Sequence, residues 1–304
     1  MDIAIMIEGQ NGLNWPRWKK IAKLVEDLGF AGLYRSDHFT NSEPPDIDSL
    51  DLWVSLTWLA DNTQHIGFGP LVTPFSFRHP VHIARMASAI DDLSGGRLTL
   101  GLGAGWQERE HEKFGFPLLD MNGRFRRMDE GLEVVTHLLR SDEPSDFSGE
   151  FYTLKDAVML PRPARDGGPP ILIGGNGEKR TLPLASRFAD EWNAVFTTAD
   201  EVRRLNTILD EMLVERGRKP GDVRRSLMTG CIFGQTDKKA KEVSAVYGET
   251  TIAELREEGF IIGTGSQVAE QLAQLAETNI DRVMLQWLDL DDLDGIEALA
   301  KTVL

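Results

Sequence analysis

The chain has 304 residues, and 41% of them are hydrophobic, which is enough to bury a full core. Its formal net charge of −15 argues against general affinity for nucleic acid or anionic membranes, since both are bound through positive charge. The single cysteine, Cys231, excludes an intrachain disulfide, and its apolar surroundings predict an inert buried thiol. The chain begins without a signal-peptide pattern and has no run of roughly 18 apolar residues, so we expect a cytoplasmic protein.

Apolar runs alternate with segments of helical period along the first third of the chain. The runs cover residues 3–7, 31–36, 65–72 and 97–103 and are typical of buried parallel strands. The first intervening segment carries apolar residues at helical spacing and ends at Gly29, a typical C-cap. Ser49 is the candidate N-cap of the next helix, and Pro80 predicts the first turn of the third.

The alternation resumes in the second half, with apolar runs at residues 169–175, 190–195, 225–234 and 281–288. Eight strands, each followed by a helical segment, predict a parallel α/β fold of the (β/α)8 TIM-type barrel. Residues 104–168, which include a hairpin-like "FSGEFYTL", and residues 235–280 exceed a simple crossover, so we interpret them as insertions after strands 4 and 7. Neither insertion has an apolar run large enough for its own core, and residues 1–304 are therefore expected to form one domain.

Polar and glycine-rich residues follow the predicted strands repeatedly. Glu8 follows strand 1, Asp37 and His38 follow strand 2, and Gln286 and Trp287 lie near the end of strand 8. In a (β/α)8 barrel the C-terminal ends of the strands carry the chemistry. The fold therefore predicts that these scattered residues meet at one site.

The pair Asp37–His38 is the strongest catalytic candidate in the sequence. Both residues could simply cap the following segment, because aspartate often precedes a helix. A polar pair at the end of a barrel strand favours the functional interpretation. Histidine titrates near neutrality, so His38 would take or give a proton, and Asp37 would orient it or bind a ligand.

Two glycine-rich turns are candidate ligand contacts. The stretch "GLGAGW" (101–106) lacks the third glycine of a dinucleotide fingerprint, and it fits either a tight turn or close backbone approach to a flat ligand with Trp106 as a wall. The stretch "IGGNGEKR" (173–180) leads from a strand into a helix. It favours a phosphate site on free backbone N–H groups, with charge added by Lys179 or Arg180.

Motifs of other enzyme classes are absent from the sequence. There is no phosphate-binding P-loop, no H-E-x-x-H, no G-x-S-x-G and no C-x-x-C. Glu108 and His111 have i,i+3 spacing, but "QEREHEKFG" is more typical of a solvated helix face than of a metal site. His79 and His82 flank Pro80 and suggest a structural role. No metal is expected.

An ordered set of motifs resembles the luciferase-like monooxygenase superfamily. The set comprises "YRSDHF", "LVTPFSFRHP", "IDDLSGGRLTLGLGAGW", "GEFYTL" and "PPILIGG", and it runs over nearly the whole chain. Members have a (β/α)8 barrel with insertions and bind either reduced FMN or the deazaflavin coenzyme F420. The combination of "GLYRSDHF" and "GAGWQERE" is more similar to the deazaflavin-dependent branch.

The resemblance implies roles for specific residues. Asp37 and His38 would lie beside the redox ring, with His38 catalytic. A non-prolyl cis peptide in the strand-3 bulge would support the ring, and the matching bond is Pro70–Leu71. The other implied contacts are those of the ring and its side chain with Gly103, Ala104, Gly105 and Trp106, and those of the phosphate with Gly174, Gly175, Asn176, Gly177 and Arg180. Arg78, Lys179 and Arg180 are the candidates for an anionic coenzyme tail.

One departure narrows the expected substrates. The resembling sugar-phosphate dehydrogenases have an acid where Trp106 stands here, which argues against a sugar phosphate and leaves Glu8 and Glu110 as the nearest acids. The resemblance implies an F420-dependent oxidoreductase that acts on a small organic substrate, and members of the family often form homodimers. The alternatives are an FMNH2-dependent monooxygenase, for which residues 104–168 offer a lid, and a flavin-binding barrel without turnover.

Overall fold

A computed structural model describes all residues, 1–304, and places eight parallel strands in one barrel sheet. The chain has twelve strands in all: β1 (Asp2–Ile7), β2 (Gly32–Arg35), β3 (Gly67–Pro70), β4 (Thr73–Pro74), β5 (Leu100–Gly103), β6 (Ser145–Ser148), β7 (Thr153–Ala157), β8 (Ile171–Gly174), β9 (Glu191–Val195), β10 (Arg224–Phe233), β11 (Ile261–Gly263) and β12 (Arg282–Gln286). The barrel strands are β1, β2, β3, β5, β8, β9, β10 and β12. The predicted (β/α)8 architecture is confirmed.

Eleven α-helices surround the sheet. They are α1 (Trp15–Leu28), α2 (Leu52–Asn62), α3 (Pro80–Ser94), α4 (Glu108–Phe114), α5 (Met121–Arg140), α6 (Thr181–Phe188), α7 (Ala199–Glu215), α8 (Asp237–Ser244), α9 (Ile252–Glu257), α10 (Gly265–Ala276) and α11 (Leu293–Val303). Helix α1 ends at Gly29 with φ +85°, as predicted, because glycine adopts the left-handed C-cap conformation without cost. Helix α2 is capped by Asp51 and not by Ser49, since the Asp51 carboxylate accepts a 2.8 Å hydrogen bond from the Val54 amide.

The barrel closes between β3 and β5. Strand β12 pairs with both β1 and β10, and the Phe68–Leu98 bridge joins β3 to the segment preceding β5. Strand β4 continues the β3 side beyond a bulge and pairs with the end of β5 through Thr73 and Leu102. The bulge lies at the C-terminal rim of the barrel, where it shapes the site described below.

Side chains separate into two apolar layers. Inward-facing residues fill the barrel, including Met6, Tyr34, Leu172, Met228 and Met284. A larger core of 62 buried residues lies between the strands and the helices. This alternation follows from the two-residue period of a strand. The lumen is therefore filled, and a ligand site of a barrel of this kind lies above it, at the C-terminal strand ends.

The two predicted insertions have the expected places. Residues 104–168 contain α4, α5 and the antiparallel hairpin β6–β7, which confirms the hairpin predicted from "FSGEFYTL". Residues 235–280 contain α8, α9, β11 and α10, and β11 extends the rim by pairing with residues 231–233 of β10. No helix has the length and apolar character needed to cross a membrane.

Candidate active site

The strand ends gather the polar residues that the sequence singled out. The inward-facing Glu8 accepts a hydrogen bond from the Gln286 amide at 2.7 Å and another from Gln10 at 2.9 Å. Asp37 and His38 follow β2 directly, and the glycines of "GLGAGW" follow β5. The hydrogen bonds of Glu8 join the ends of β1 and β12 into one polar layer above the apolar barrel interior.

His38 is held by a buried carboxylate from α4. The Glu110 side chain is 1% exposed, and its Oε1 lies 2.8 Å from His38 Nδ1. Its Oε2 accepts the Phe39 backbone N–H at 2.9 Å. Both carboxylate oxygens are therefore used on His38 and its neighbour. With Glu110 ionised, Nδ1 carries the hydrogen, and Nε2 is the nitrogen that can exchange a proton.

The surroundings raise the pKa of His38 above the ordinary imidazole value. Burial favours the neutral ring, but the hydrogen bond and charge of Glu110, with smaller contributions from Glu8 and Asp37, outweigh it. The exposed indole of Trp106 meets the imidazole edge-on, with ring centroids 5.6 Å apart. His38 therefore combines a fixed orientation with a raised affinity for its proton.

Asp37 forms a separate, buried ion pair. It accepts a hydrogen bond from Thr73 Oγ1 at 2.6 Å and two from the Arg78 guanidinium. Arg78 also lies 3.8 Å from Asp51. These contacts connect the end of β2 to the strand-3 bulge. They occupy the groups of Arg78 that had been candidates for an anionic coenzyme tail.

Helix α4 directs polar side chains into the protein. The prediction of a solvated helix face for "QEREHEKFG" was therefore wrong for these residues. His111 is buried, with its ring nitrogens 2.6 Å from the Gln107 carbonyl oxygen and 2.8 Å from Ser76 Oγ. Gln107 donates to the Thr40 carbonyl oxygen at 2.9 Å. Gln107, Glu110 and His111 share the i, i+3, i+4 spacing of one helix face, a signal that could have found them.

The strand-3 bulge contains a non-prolyl cis peptide between Leu71 and Val72. The bond implied by the resemblance, Pro70–Leu71, is thus displaced by one residue. The Val72 side chain packs over the strand-end glycines: a Cβ would lie 2.6 Å from it at Gly103 and 3.5 Å at Gly174. Gly105 follows with φ +83°, where a Cβ would meet Ser76 Oγ at 2.8 Å. Val72 and these glycines form a narrow floor that larger residues would fill.

Hydrogen bonds fix the loop 174–180 to β9 and to the start of α6. The Asn176 side chain pairs with Val195, receiving its N–H at 2.9 Å and donating to its carbonyl oxygen at 2.7 Å. The amides of Thr181 and Leu182 both donate to the Gly177 carbonyl oxygen. Amides 176–179 have no backbone partner, so they are the N–H groups left for an anion, while Asn176 itself is engaged in structure.

Basic side chains near this loop are partly committed. Arg180 donates to Asn122 Oδ1 at 2.8 Å and lies over the Phe125 ring. Lys179 is exposed and forms no ion pair.

At the rim of β10, Cys231 is buried, and burial raises the pKa of its thiol to about 12, in agreement with the inert thiol that was predicted.

Comparison with known proteins assigns the family. The sequence model of the luciferase-like monooxygenases matches residues 1–260. The chain is 23% identical to the FMNH(2)-dependent dimethylsulfone monooxygenase of Pseudomonas putida, over 90% of this chain and 83% of that one. It is 30% identical to the F420-dependent hydroxymycolic acid dehydrogenase of Mycobacterium tuberculosis, over 57% of this chain but only 47% of that one.

A solved structure agrees with the fold. The F420-dependent secondary alcohol dehydrogenase in complex with an F420-acetone adduct superimposes with a TM-score of 0.86, covering 99% of this chain and 97% of that one at 18% identity. Sequence relatives thus include users of both cofactors, and a flavin or deazaflavin cofactor is common to them. The family match covers most of the chain and includes seven of the eight barrel strands together with Asp37, His38 and Glu110. The chain therefore belongs to the luciferase-like monooxygenase family.

Proposed function

We propose that the protein is an F420-dependent oxidoreductase that transfers a hydride between the deazaflavin and a small organic substrate. The observation that carries the proposal is the His38–Glu110 pair at the C-terminal mouth of the barrel. Hydride transfer to or from an oxygen-bearing carbon requires a proton to move in the same reaction, and an oriented imidazole can move it. Enzymes of this kind supply positioning and electrostatics, while the hydride chemistry is that of the coenzyme.

The residues at the strand ends fit a flat ring system. The Val72 side chain and the glycines at 103 and 174 form a narrow floor, and Trp106 and His38 meet edge-on at the same rim. The unpartnered amides 176–179 fit a phosphate on the ring's side chain. When bound, the coenzyme would supply the hydride donor or acceptor. We assign direct holding roles to His38, Pro70, Leu71, Gly103, Ala104, Gly105, Trp106, Gly174, Gly175, Gly177, Arg180 and the backbone amide of Asn176. Asp37 would contribute indirectly, through the bulge that it stabilises.

The proposed roles within the polar rim differ between residues. His38 Nε2 would accept the substrate hydroxyl proton during oxidation and return it during reduction. Glu110 would keep the imidazole oriented and stabilise its protonated form, because its charge favours the imidazolium. Asp37 would act indirectly, by fixing Arg78 and Thr73 and so the bulge beneath the ring.

An FMNH2-dependent monooxygenase is the second candidate, supported by the match to the dimethylsulfone enzyme over most of both chains. Such an enzyme needs its reactive site closed to water, and helix α4 with the following insertion lies over the rim at Thr40 and Asn41. A barrel that binds a flavin without turnover is the third candidate. The intact His38–Glu110 pair weighs against it.

Two titrations of the purified protein test the choice. Fluorescence is followed as coenzyme F420 or, separately, FMN is added. Saturable binding of F420 with no response to FMN supports the proposal. Preference for FMN, together with oxygen consumption when FMN is supplied reduced, would replace it by the monooxygenase. Tight binding of either cofactor with no turnover over a broad substrate screen would favour the carrier.

We also propose that the protein forms a homodimer through the outer face of α2. Trp58 meets Trp15 edge-on, and Lys19 lies over both rings. Val54 and Leu93 beside them are about half exposed. An exposed apolar patch of this kind on a soluble barrel is typical of a protein contact.

A further inference from the structure

A cavity opens at the C-terminal face of the barrel, among residues that follow β1 and β12. It has a volume of about 580 Å³ and lies between the ends of β10 and β12, helix α8 and the loops after β1 and β2. Thirteen residues line it, and eight of them are hydrophobic. Ligand cavities are commonly of about 300–1,000 Å³ with mostly apolar walls, so the size and lining suit a small organic molecule.

The cavity adjoins the proposed reaction centre. Burial, with smaller contributions from Cys231 and Glu8, raises the pKa of Tyr247 in its wall to about 12. The wall residue Asn11 donates its backbone N–H to the Glu8 carbonyl oxygen at 3.1 Å, and Trp287 in the same wall follows Gln286, whose amide donates to the Glu8 carboxylate at 2.7 Å. The cavity therefore borders the Glu8 end of the polar layer.

The charges around the cavity are mainly negative. Glu242, Asp289 and Asp292 lie on its lining, against the single cation Lys239. Phosphates and carboxylates are disfavoured beside such a set, because like charges repel in a partly dehydrated site. Tyr247, which is half-buried, forms no hydrogen bond within the protein and stays protonated at neutral pH, so its hydroxyl is a free donor.

We propose that this cavity binds the substrate of the proposed oxidoreductase, and that the substrate is an uncharged, mostly apolar molecule with one oxygen function that accepts a hydrogen bond from Tyr247. The inference rests on the proposed function for the reaction, but the binding it describes needs no coenzyme. Apolar walls at Ile232, Val243 and Val246 would hold the carbon skeleton. The oxygen-bearing carbon would lie on the side of Glu8 and His38.

Binding to the coenzyme-free protein tests the inference. Saturation-transfer NMR is recorded with 2-alkanones of four to twelve carbons and with alkanoates of equal length. We expect affinity to rise by about three- to fourfold per methylene until the cavity is full, from the hydrophobic free energy of one methylene. Alkanoates should bind at least about tenfold more weakly. Equal or tighter binding of alkanoates, or no gain with chain length, would overturn the proposal.

Variants locate the binding. Val243→Trp should abolish ketone binding by filling the cavity, whereas Val214→Trp on the exposed face of α7 should leave it unchanged. Ile47→Trp at the opposite wall is a second blocking variant should the first fail to fold. Tyr247→Phe should weaken 2-alkanones about three- to tenfold while leaving alkylbenzenes of similar size unaffected. Ketone binding that survives in both blocking variants, Val243→Trp and Ile47→Trp, contradicts the assignment.

The test of the cavity can fail or succeed independently of the test of the proposed function. Loss of ketone binding in the blocked variants, with F420 binding unchanged, supports the inference. Absence of F420 binding in a protein that still binds ketones in this cavity would contradict the proposed function alone. Binding of F420 without any ketone binding would contradict the cavity assignment alone.

Discussion

Glu110 holds His38 from behind, with its Oε1 2.8 Å from Nδ1 and its Oε2 on the next backbone amide. The carboxylate comes from α4, more than seventy residues along the chain from β2, and it is almost completely buried. Because both of its oxygens are committed, Glu110 leaves the imidazole one orientation with Nε2 free.

Removing the imidazole should abolish proton transfer without disturbing the coenzyme. For His38→Ala we expect turnover to fall by about 10²–10⁴-fold, the range attributed to one general acid or base. Affinity for F420 should change little, since the phosphate amides and the glycine floor remain. Steady-state kinetics and fluorescence titration measure the two effects. The matched control is His82→Ala, which changes an exposed histidine on α3; unchanged turnover in His38→Ala would end the assignment.

Replacing Glu110 by glutamine should lower the pKa of His38. Burial then acts without the opposing charge, so the neutral ring is favoured. The limb of the pH–rate profile that reports His38 should move toward acid, and NMR titration of the imidazole should shift in the same direction. Glu108→Gln changes an exposed glutamate on the same helix and should leave the profile in place. A profile that does not move in Glu110→Gln would place the titrating group elsewhere.

The His38–Glu110 pair makes folding stability depend on pH. The pKa of His38 is higher in the folded chain than its unfolded value of about 6.5. Its contribution is therefore fully present below pH of about 6.5 and is lost as pH rises through the folded pKa. Urea unfolding at acidic and alkaline pH should show a larger drop for the wild type than for His38→Gln. Parallel curves for the two proteins would contradict the linkage.

The Asp37–Arg78 pair should matter mainly for stability. Asp37→Ala leaves the partly buried Arg78 without its main partner, and breaking such a pair costs on the order of 3–5 kcal/mol. Asp289→Ala removes an exposed carboxylate and should cost far less. Chemical denaturation measures both. A loss below about 1 kcal/mol for Asp37→Ala would show that the bulge does not depend on this contact.

The glycine floor can be tested by compensation. In Gly103→Ala the new Cβ would lie 2.6 Å from Val72 Cγ2, so the floor must shift. Overpacking of this kind costs about 1–3 kcal/mol, and we expect weaker coenzyme binding with it. Val72→Ala removes the clashing methyl, and the double variant should recover part of the affinity. Equal losses in the single and double variants would rule out Val72 as the cause.

The proposed dimer predicts a change of mass in solution. Val54→Asp places a charge on the exposed face of α2, next to Trp58, and should shift the protein toward the monomer in analytical ultracentrifugation. Val214→Asp on α7 is equally exposed and should leave the distribution unchanged. A wild-type protein that sediments as a monomer at micromolar concentration would end the proposal.

The sequence alone was sufficient for the architecture. Alternation of apolar runs with helical periods predicted all eight barrel strands, because a buried parallel strand needs a continuous apolar stretch and its crossover needs an amphipathic helix. The strand ends then pointed to Asp37, His38 and the glycines at 103 and 174, since the fold puts chemistry at that rim. Local patterns of this kind depend on residues close together in the chain.

The partners of those residues were decided only by tertiary structure. Glu110 on α4 reaches His38, Arg78 turns to Asp37 and away from any coenzyme tail, and Val72 lies over Gly103. Each contact joins separate segments through the exact angle of a helix or a bulge, and a single sequence carries no record of that angle. The helix face of Gln107, Glu110 and His111 looked solvated for the same reason: polarity predicts water, unless other buried polar groups satisfy the hydrogen bonds.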